Sequence, residues 1–492
     1  MSELHPIMFV GTGSDVGKSI MATAFCRIFL NDGYHPAPFK AQNMALNSFV
    51  TPTGGEIGRA QAVQAEAAHV ECETDMNPLL LKPQSDTTSQ IILNGSAIGT
   101  RTAADYFHNM GRERFFKVVC DAFSRLQRKY NPIVLEGAGS ISEINLRTFD
   151  LVNLSMARYA KAKVFLVADI DRGGVFASVY GTLELLTKEE REMIKGIIIN
   201  KFRGDINLFS SGKKLMEELC KIPVVGIIPY FKNIYIDEED SVALAHKAVK
   251  SENKMLNIAV VLLPHISNFT DFNPLERHPL IHLFYSINPD ELSKSDLIII
   301  PGSKTTTADL SELRRNGMAK AILLAHEKGT PVLGICGGYQ MMGIEIIDTQ
   351  NVESNVQHMP GLGLLPVVTK LEKKKTTRQV NFLFKGNQIS GYEIHNGHTT
   401  IVDNNAHPLF TSTDGTTDGC QNTNHCMGTY VHGLFDNAPF LNFLLQQIKK
   451  KSIPTSTFNA RKFKDEQYDK LANLVRNNID LDLIYKILIN ND

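Results

Sequence analysis

The stretch Pro6-Ile-Met-Phe-Val-Gly11-Thr-Gly-Ser-Asp-Val-Gly17-Lys18-Ser19 decides how the first half of this chain folds. A short apolar run stops at a glycine-bearing loop, the loop closes on Gly-Lys-Ser, and Ile20 to Leu30 reads as a helix. Strand, loop and helix in that order make a phosphate cradle. Backbone N–H groups at the turn and at the helix N-terminus face the anion, Lys18 adds a point charge, and the Ser19 hydroxyl can ligate magnesium. Gly11, Thr12, Gly13, Asp15, Val16, Gly17, Lys18 and Ser19 are the expected nucleotide contacts. Gly11 lies six residues before Gly17, so Thr12 stands where the usual motif has its first glycine, and the loop suits a variant P-loop opening with Gly-Thr.

Outward from this loop, the same form repeats. Pro38-Phe-Lys40-Ala-Gln42-Asn43-Met-Ala-Leu-Asn47-Ser48 begins where a second strand ends, and Lys40 is placed to stabilise a transferring phosphoryl group. Pro132-Ile-Val-Leu-Glu136-Gly137-Ala-Gly139-Ser140 ends a buried strand on an acid that can reach nucleotide-bound magnesium, giving Ser19 and Glu136 as the expected metal ligands. A structural salt bridge is the alternative for Glu136. Val164 to Asp169 runs into Asp171 and Arg172, and Gly196 to Ile199 runs into Asn200, Lys201 and Arg203. Asn200 joins the expected nucleotide contacts. Lys40, Lys82, Arg172 and Arg203 are candidate cations at a substrate rim, with surface salt bridges as the alternative for the two arginines. Apolar strands alternating with helical segments up to about residue 235 argue a doubly wound, mainly parallel α/β sheet with a nucleotide at its rim.

A second α/β unit begins at Asn257-Ile-Ala-Val-Val-Leu-Leu-Pro264, after an acidic connection around Asp237-Glu-Glu-Asp240. Asp296 to Pro301 leads to Gly302, whose turn offers backbone N–H groups, and Pro331-Val-Leu-Gly-Ile-Cys336-Gly337-Gly338 sets a cysteine on a tight strand-to-helix turn. Such a turn presents the thiol to a pocket, and the helix N-terminus favours its thiolate. Gly302 and Gly337 are the expected oxyanion donors. The base expected for this nucleophile is His432, in Gly428-Thr-Tyr-Val-His-Gly433, with Glu393 and His395 as rival polar groups. Cys420, His425 and Cys426 lack a second well-spaced pair for zinc and read as a loop or surface feature.

Composition narrows the function classes. Lys+Arg of 51 against Asp+Glu of 52 gives a formal net charge of -1, which offers no global field for nucleic acid or an anionic membrane. No apolar run is long enough to span a bilayer, Ser2-Glu3 starts nothing like a leader, and 7 scattered cysteines argue against a disulfide framework, so a cytoplasmic protein is expected. The simplest coupling of the two chemistries is glutamine hydrolysis at Cys336, with the ammonia attacking a carboxylate phosphorylated at the P-loop.

The residues also carry a family resemblance. Gly11 to Ser19, Pro38 to Ser48, Glu136 to Ser140 with Glu143 to Leu146, Ala168 to Ala177, Ile199 to Asp205 and Ser267-Asn-Phe-Thr-Asp-Phe-Asn-Pro-Leu275 together resemble the glutamine-hydrolysing cobyric acid synthase family over nearly the whole length. The resemblance implies a P-loop, dethiobiotin-synthetase-like amidoligase domain over 1–235, a linker over 236–256, a class I glutaminase-like α/β domain over 257–445 and a helical extension over 446–492. It implies ATP and Mg2+ as cofactors, with L-glutamine and adenosylcobyrinic acid a,c-diamide as substrates. The implied reaction amidates the b, d, e and g carboxylates to give adenosylcobyric acid. Ile141-Ser142 departs from the proline usual in that family. His432-Gly-Leu434 lacks the glutamate that ordinary class I glutaminases place two residues after the histidine, so the motif leaves open what orients His432, and slow uncoupled glutaminase activity is expected. Competing readings are an amidase for the a and c carboxylates and a P-loop regulatory or partitioning module, the latter leaving Cys336 unexplained.

Overall fold

The computed structural model describes residues 3–84, 87–102, 105, 112–237, 255–353, 355–422, 425–448 and 459–490. Ser85, Asp86 and most of the expected linker lie outside them. The chain divides into two compact units: Met1–Met44, Glu56–Asp237 and Lys462–Asp492 form one, Ala45–Gly55 and Glu238–Arg461 the other. The division differs from the sequence-based boundaries because a short early segment and the last helices each pack away from their neighbours in sequence.

In the first unit six parallel strands lie in the order Val224–Pro229, Ile194–Phe202, Lys163–Asp169, Ile7–Gly11, Ile133–Glu136, Ala37–Phe39. The strand Ile7–Gly11 is buried along its whole length, as its unbroken apolar run demands when helices cover both faces. From it the chain first builds outward on one side and then resumes on the other at Lys163–Asp169. The P-loop therefore sits at the switch in strand order, with Phe9 level with Glu136. A smaller sheet joins Gln42–Met44, Leu79–Pro83, Thr88–Leu93 and Ser96–Thr102. Lys82 is buried there with its Nζ 2.7 Å from Glu56 Oε1, which makes it half of an internal ion pair and corrects its expected place on a ligand rim. At the opposite edge the C-terminal segment returns. Ile227 N donates to Asn478 O (3.1 Å) and Asp480 N to Val225 O (2.7 Å), closing the exposed side of Val224–Pro229. The helices Ala460–Arg476 and Leu481–Ile489 flank that contact, and their Leu471, Val475, Ile484 and Leu488 join Phe25, Phe29 and Phe165 in one core.

The second unit has its own six-stranded sheet, ordered Ile281–Ser286, Leu256–Val261, Leu297–Ile300, Val332–Ile335, Cys426–Thr429, Cys420–Gln421, parallel except for the last strand. A long hairpin, Val367–Phe384 with Asn387–Ile401, organises a second sheet. Cys420 and Cys426 are completely buried on adjacent strands, and Cys426 Sγ lies 3.6 Å from His326 Nδ1. This corrects their reading as a surface feature: the thiols act as small apolar groups in the core. All seven cysteines are free. The early segment Ala45–Gly55 packs against the hairpin, with Phe49 and Val50 clustered on Tyr392 and Ile394. Among the described residues no helix is long and apolar enough to cross a membrane.

Candidate active sites

At the P-loop, the helix Lys18–Asn31 starts from Gly17 at φ 102°, with no side chain capping its N-terminus and no acid in its first turn. Its first N–H groups are thus left for an anion. Only glycine fits position 17, because a Cβ would lie 2.0 Å from Asn200 Nδ2 in addition to the left-handed backbone. Asn200 donates to Val16 O (2.8 Å) and Lys201 Nζ to Asp15 O (2.6 Å), so the strand end Ile194–Phe202 braces the loop. Lys18 Nζ reaches the carbonyls of Gly13 and Gly139, each at 2.8 Å.

Glu136 gathers the other predicted groups. It accepts from Ser19 Oγ (2.8 Å), Lys40 Nζ (2.8 Å) and Gln64 Nε2 (2.6 Å) while 1% exposed. Burial alone would raise its pKa, but the Lys40 charge and the three hydrogen bonds outweigh it and hold the carboxyl below its ordinary range. An ionised acid on the P-loop hydroxyl, beside an uncapped helix start, fits a magnesium–nucleotide pair, with Ser19 and Glu136 as protein ligands. Gln64 joins this cluster from within an alanine-rich helix, where no local pattern singles it out. Arg172 is largely exposed, 3.5 Å from Asp15, and Arg203 pairs with Asp171 at 2.5 Å and lies 3.5 Å over the Tyr230 ring. Both arginines have acids for neighbours.

The second site follows from strand pairing. Val332–Ile335 and Cys426–Thr429 run parallel with Ile335 opposite Thr429, so Cys336 and His432 emerge just beyond the same end of adjacent strands. Cys336 N donates to Thr429 O (2.8 Å). The cysteine stands at φ 53°, ψ -110°, a strained elbow followed at once by the helix Gly337–Met342. A Cβ at Gly338 would come within 1.9 Å of Ile300 O, which is why the turn needs glycine there. Gly337 follows Cys336 directly and lies against Ser303 N, while a Cβ at Gly302 would lie 3.5 Å from His432 Cε1, so one predicted oxyanion glycine adjoins the nucleophile and the other the imidazole.

Asp271, in the turn Phe269–Phe272, supplies what the histidine motif lacks: its Oδ2 is 2.6 Å from His432 Nδ1, and its Oδ1 accepts from Gly433 N at 3.0 Å. Burial would push the imidazole down, yet the Asp271 charge and hydrogen bond, with the Cys336 side chain, raise it to about 10. His432 Nε2 has no hydrogen-bond partner among the described residues, and the Cys336 thiol donates to Ile394 O at 3.6 Å. Tyr392 stacks on His432 at 5.3 Å and exchanges backbone hydrogen bonds with it in both directions. Glu393 is instead held by Arg378 (2.8 Å), and His395 stacks on Tyr430 with its Nδ1 on Gly397 O. Neither is hydrogen-bonded to His432.

These geometries define a class: a nucleotide-binding P-loop unit and a cysteine–histidine–carboxylate unit in one polypeptide. Comparison agrees. Residues 7–242 match the CobQ/CobB/MinD/ParA nucleotide binding domain, and residues 257–440 match the CobB/CobQ-like glutamine amidotransferase domain. The chain is 61% identical to a cobyric acid synthase of Bacteroides fragilis over 99% of both chains, and 60% identical to one of Phocaeicola vulgatus, also over 99% of both. A cobyric acid synthase of Limosilactobacillus reuteri is 47% identical over 99% of this chain and 98% of its own. The chain belongs to the cobyric acid synthase family.

Proposed function

We propose that the protein is a cytoplasmic, ATP- and glutamine-dependent amidase that converts the b, d, e and g carboxylates of adenosylcobyrinic acid a,c-diamide to amides, giving adenosylcobyric acid. One observation carries the reading: a single chain holds both the Ser19–Glu136–Lys40 cluster at a P-loop and the Cys336–His432–Asp271 array. At the second site, Cys336 Sγ attacks the side-chain carbonyl carbon of glutamine. The Gly302 and Gly337 backbone receives the developing oxyanion, and His432 donates the proton with which ammonia leaves. Water then cleaves the thioester to glutamate. At the first site, the substrate carboxylate takes the γ-phosphoryl group of ATP, and ammonia displaces phosphate from the acyl phosphate to leave the amide. Ser19 and Glu136 would hold magnesium, which when bound would supply charge neutralisation at the phosphates. Lys18 grips the outer phosphates, Lys40 faces the group in transfer, and Arg172 and Arg203 offer charge to the remaining carboxylates.

The test uses Cys336→Ala with two nitrogen sources and two acceptors, cobyrinic acid and its a,c-diamide, read by mass spectrometry. Amidation of the diamide from ammonium but not from glutamine is expected. Equal loss with both nitrogen sources in a folded variant would sink the assignment of Cys336, and wild-type turnover confined to the a and c carboxylates would replace the substrate.

A further inference from the structure

We propose that the segment Asn47–Val50 is a working part of the glutaminase site, in which Asn47 and Phe49 are positioning residues for His432. The inference rests on the glutaminase reading of Cys336 and deepens it. These residues precede the second domain by some two hundred positions, yet they belong to its compact unit and are tied to each member of the Cys336–His432–Asp271 array.

The first tie runs through Asp271. Phe269 N donates to Asn47 Oδ1 (3.2 Å), and Ser48 N donates to Asn268 Oδ1 (3.0 Å), so each asparagine side chain holds the backbone N–H of the residue after the other, at the start of the turn that carries Asp271. Asn47 is 1% and Asn268 2% exposed, and Asn268 sits at φ 53°. Buried amides spent on one loop's main chain fix that loop's position, because an unmet buried N–H is costly. The second tie runs through Tyr392. Its ring lies 5.0 Å from Phe49, its hydroxyl donates to Ser48 O (3.3 Å), and the same ring stacks on His432. The third reaches Cys336: Val50 clusters with Ile394, whose carbonyl accepts from the thiol. Gln379 Nε2 on the long hairpin also donates to Val50 O. Among the described residues, the charged or titratable groups that meet His432 are Asp271 from the turn, Cys336 from the elbow and Tyr392 from the hairpin. The segment holds the turn and the hairpin directly, and it packs beside the carbonyl that receives the thiol.

Full-length Asn47→Ala, Asn47→Asp and Phe49→Leu test this by rapid-quench measurement of thioester formation from glutamine across pH, with melting curves as the folding control. Asn47→Ala should slow thioester formation about 10-fold with KM within about twofold of wild type, since a displaced base costs rate more than binding. Its alkaline limb should move to lower pH as Asp271 loses its hold on the imidazole. Asn47→Asp keeps an acceptor for Phe269 N–H and should recover to within about threefold, which a mere packing role would not produce. Phe49→Leu should slow the step with a smaller displacement of the limb, and it carries the test alone if Asn47→Ala does not fold. Wild-type rates and profiles in Asn47→Ala and Phe49→Leu overturn the proposal, as does a loss without limb displacement or rescue by Asp. Glutamine hydrolysis surviving in Cys336→Ala would instead overturn the underlying reading, so the two failures are distinct.

Discussion

His432 holds its proton against burial chiefly because Asp271 stands beside it, with the Cys336 side chain adding to that hold. The raised value means that the imidazolium persists through neutral pH and is lost as pH climbs through about 10. Asp271→Asn removes the charge, burial then prevails, and His432 sheds its proton at lower pH. Thioester formation should fall roughly 10²- to 10⁴-fold, with its alkaline limb displaced downward. A superimposable pH profile at the wild-type rate would remove Asp271 from this role. Cys336 and His432 were legible in the sequence because each sits in a local pattern, a Gly-x-Cys-Gly-Gly elbow and a Thr-Tyr-x-His-Gly turn. Asp271 stands within a stretch that carries the family resemblance, but no local pattern assigns it a role. It is 161 residues from His432, and only the gathering of strand ends brings the two together.

The parallel strands were also legible, since burial on both faces forces continuous apolar runs such as Ile7–Gly11 and Leu297–Ile300. The hairpin Val367–Phe384 with Asn387–Ile401 was not. Its first strand alternates buried and exposed positions and carries Lys373, Lys374 and Lys375, so it lacks an apolar run to announce it. The elements around the P-loop converge on one buried ion pair, Lys40 with Glu136, which yields a test that does not depend on turnover. Lys40→Ala leaves the acid buried without its cation, at a cost of about 3 kcal/mol in the nucleotide-free protein. If Glu136 holds magnesium as proposed, MgATP would return a cation to the acid and should raise the melting temperature more in the variant than in wild type. Equal increments in both proteins would separate Lys40 from the nucleotide site.

At the scale of the whole molecule, two units share one chain without dividing it at a single point. Composition gave no sign of this, because Ala45–Gly55 and Lys462–Asp492 look like an ordinary loop and ordinary helices until their partners are known. Removal of residues 462–492 should uncover the edge Val224–Pro229 and strip Leu471, Val475, Ile484 and Leu488 from the Phe25–Phe29 core. Such a truncation should lower the melting temperature by at least about 5 °C and form soluble aggregates on size exclusion. A monomer with unchanged melting would show that the edge needs no cover. The returning segment also sets a schedule. Val224–Pro229 leaves the ribosome long before Asn478 and Asp480 exist, so at ordinary translation rates its outer side waits roughly 10 to 50 s for a partner. During synthesis the nascent first unit is a sheet with an open margin. Slower translation lengthens that wait, and helper proteins that mask strand edges should matter most in the interval before the last helix is made.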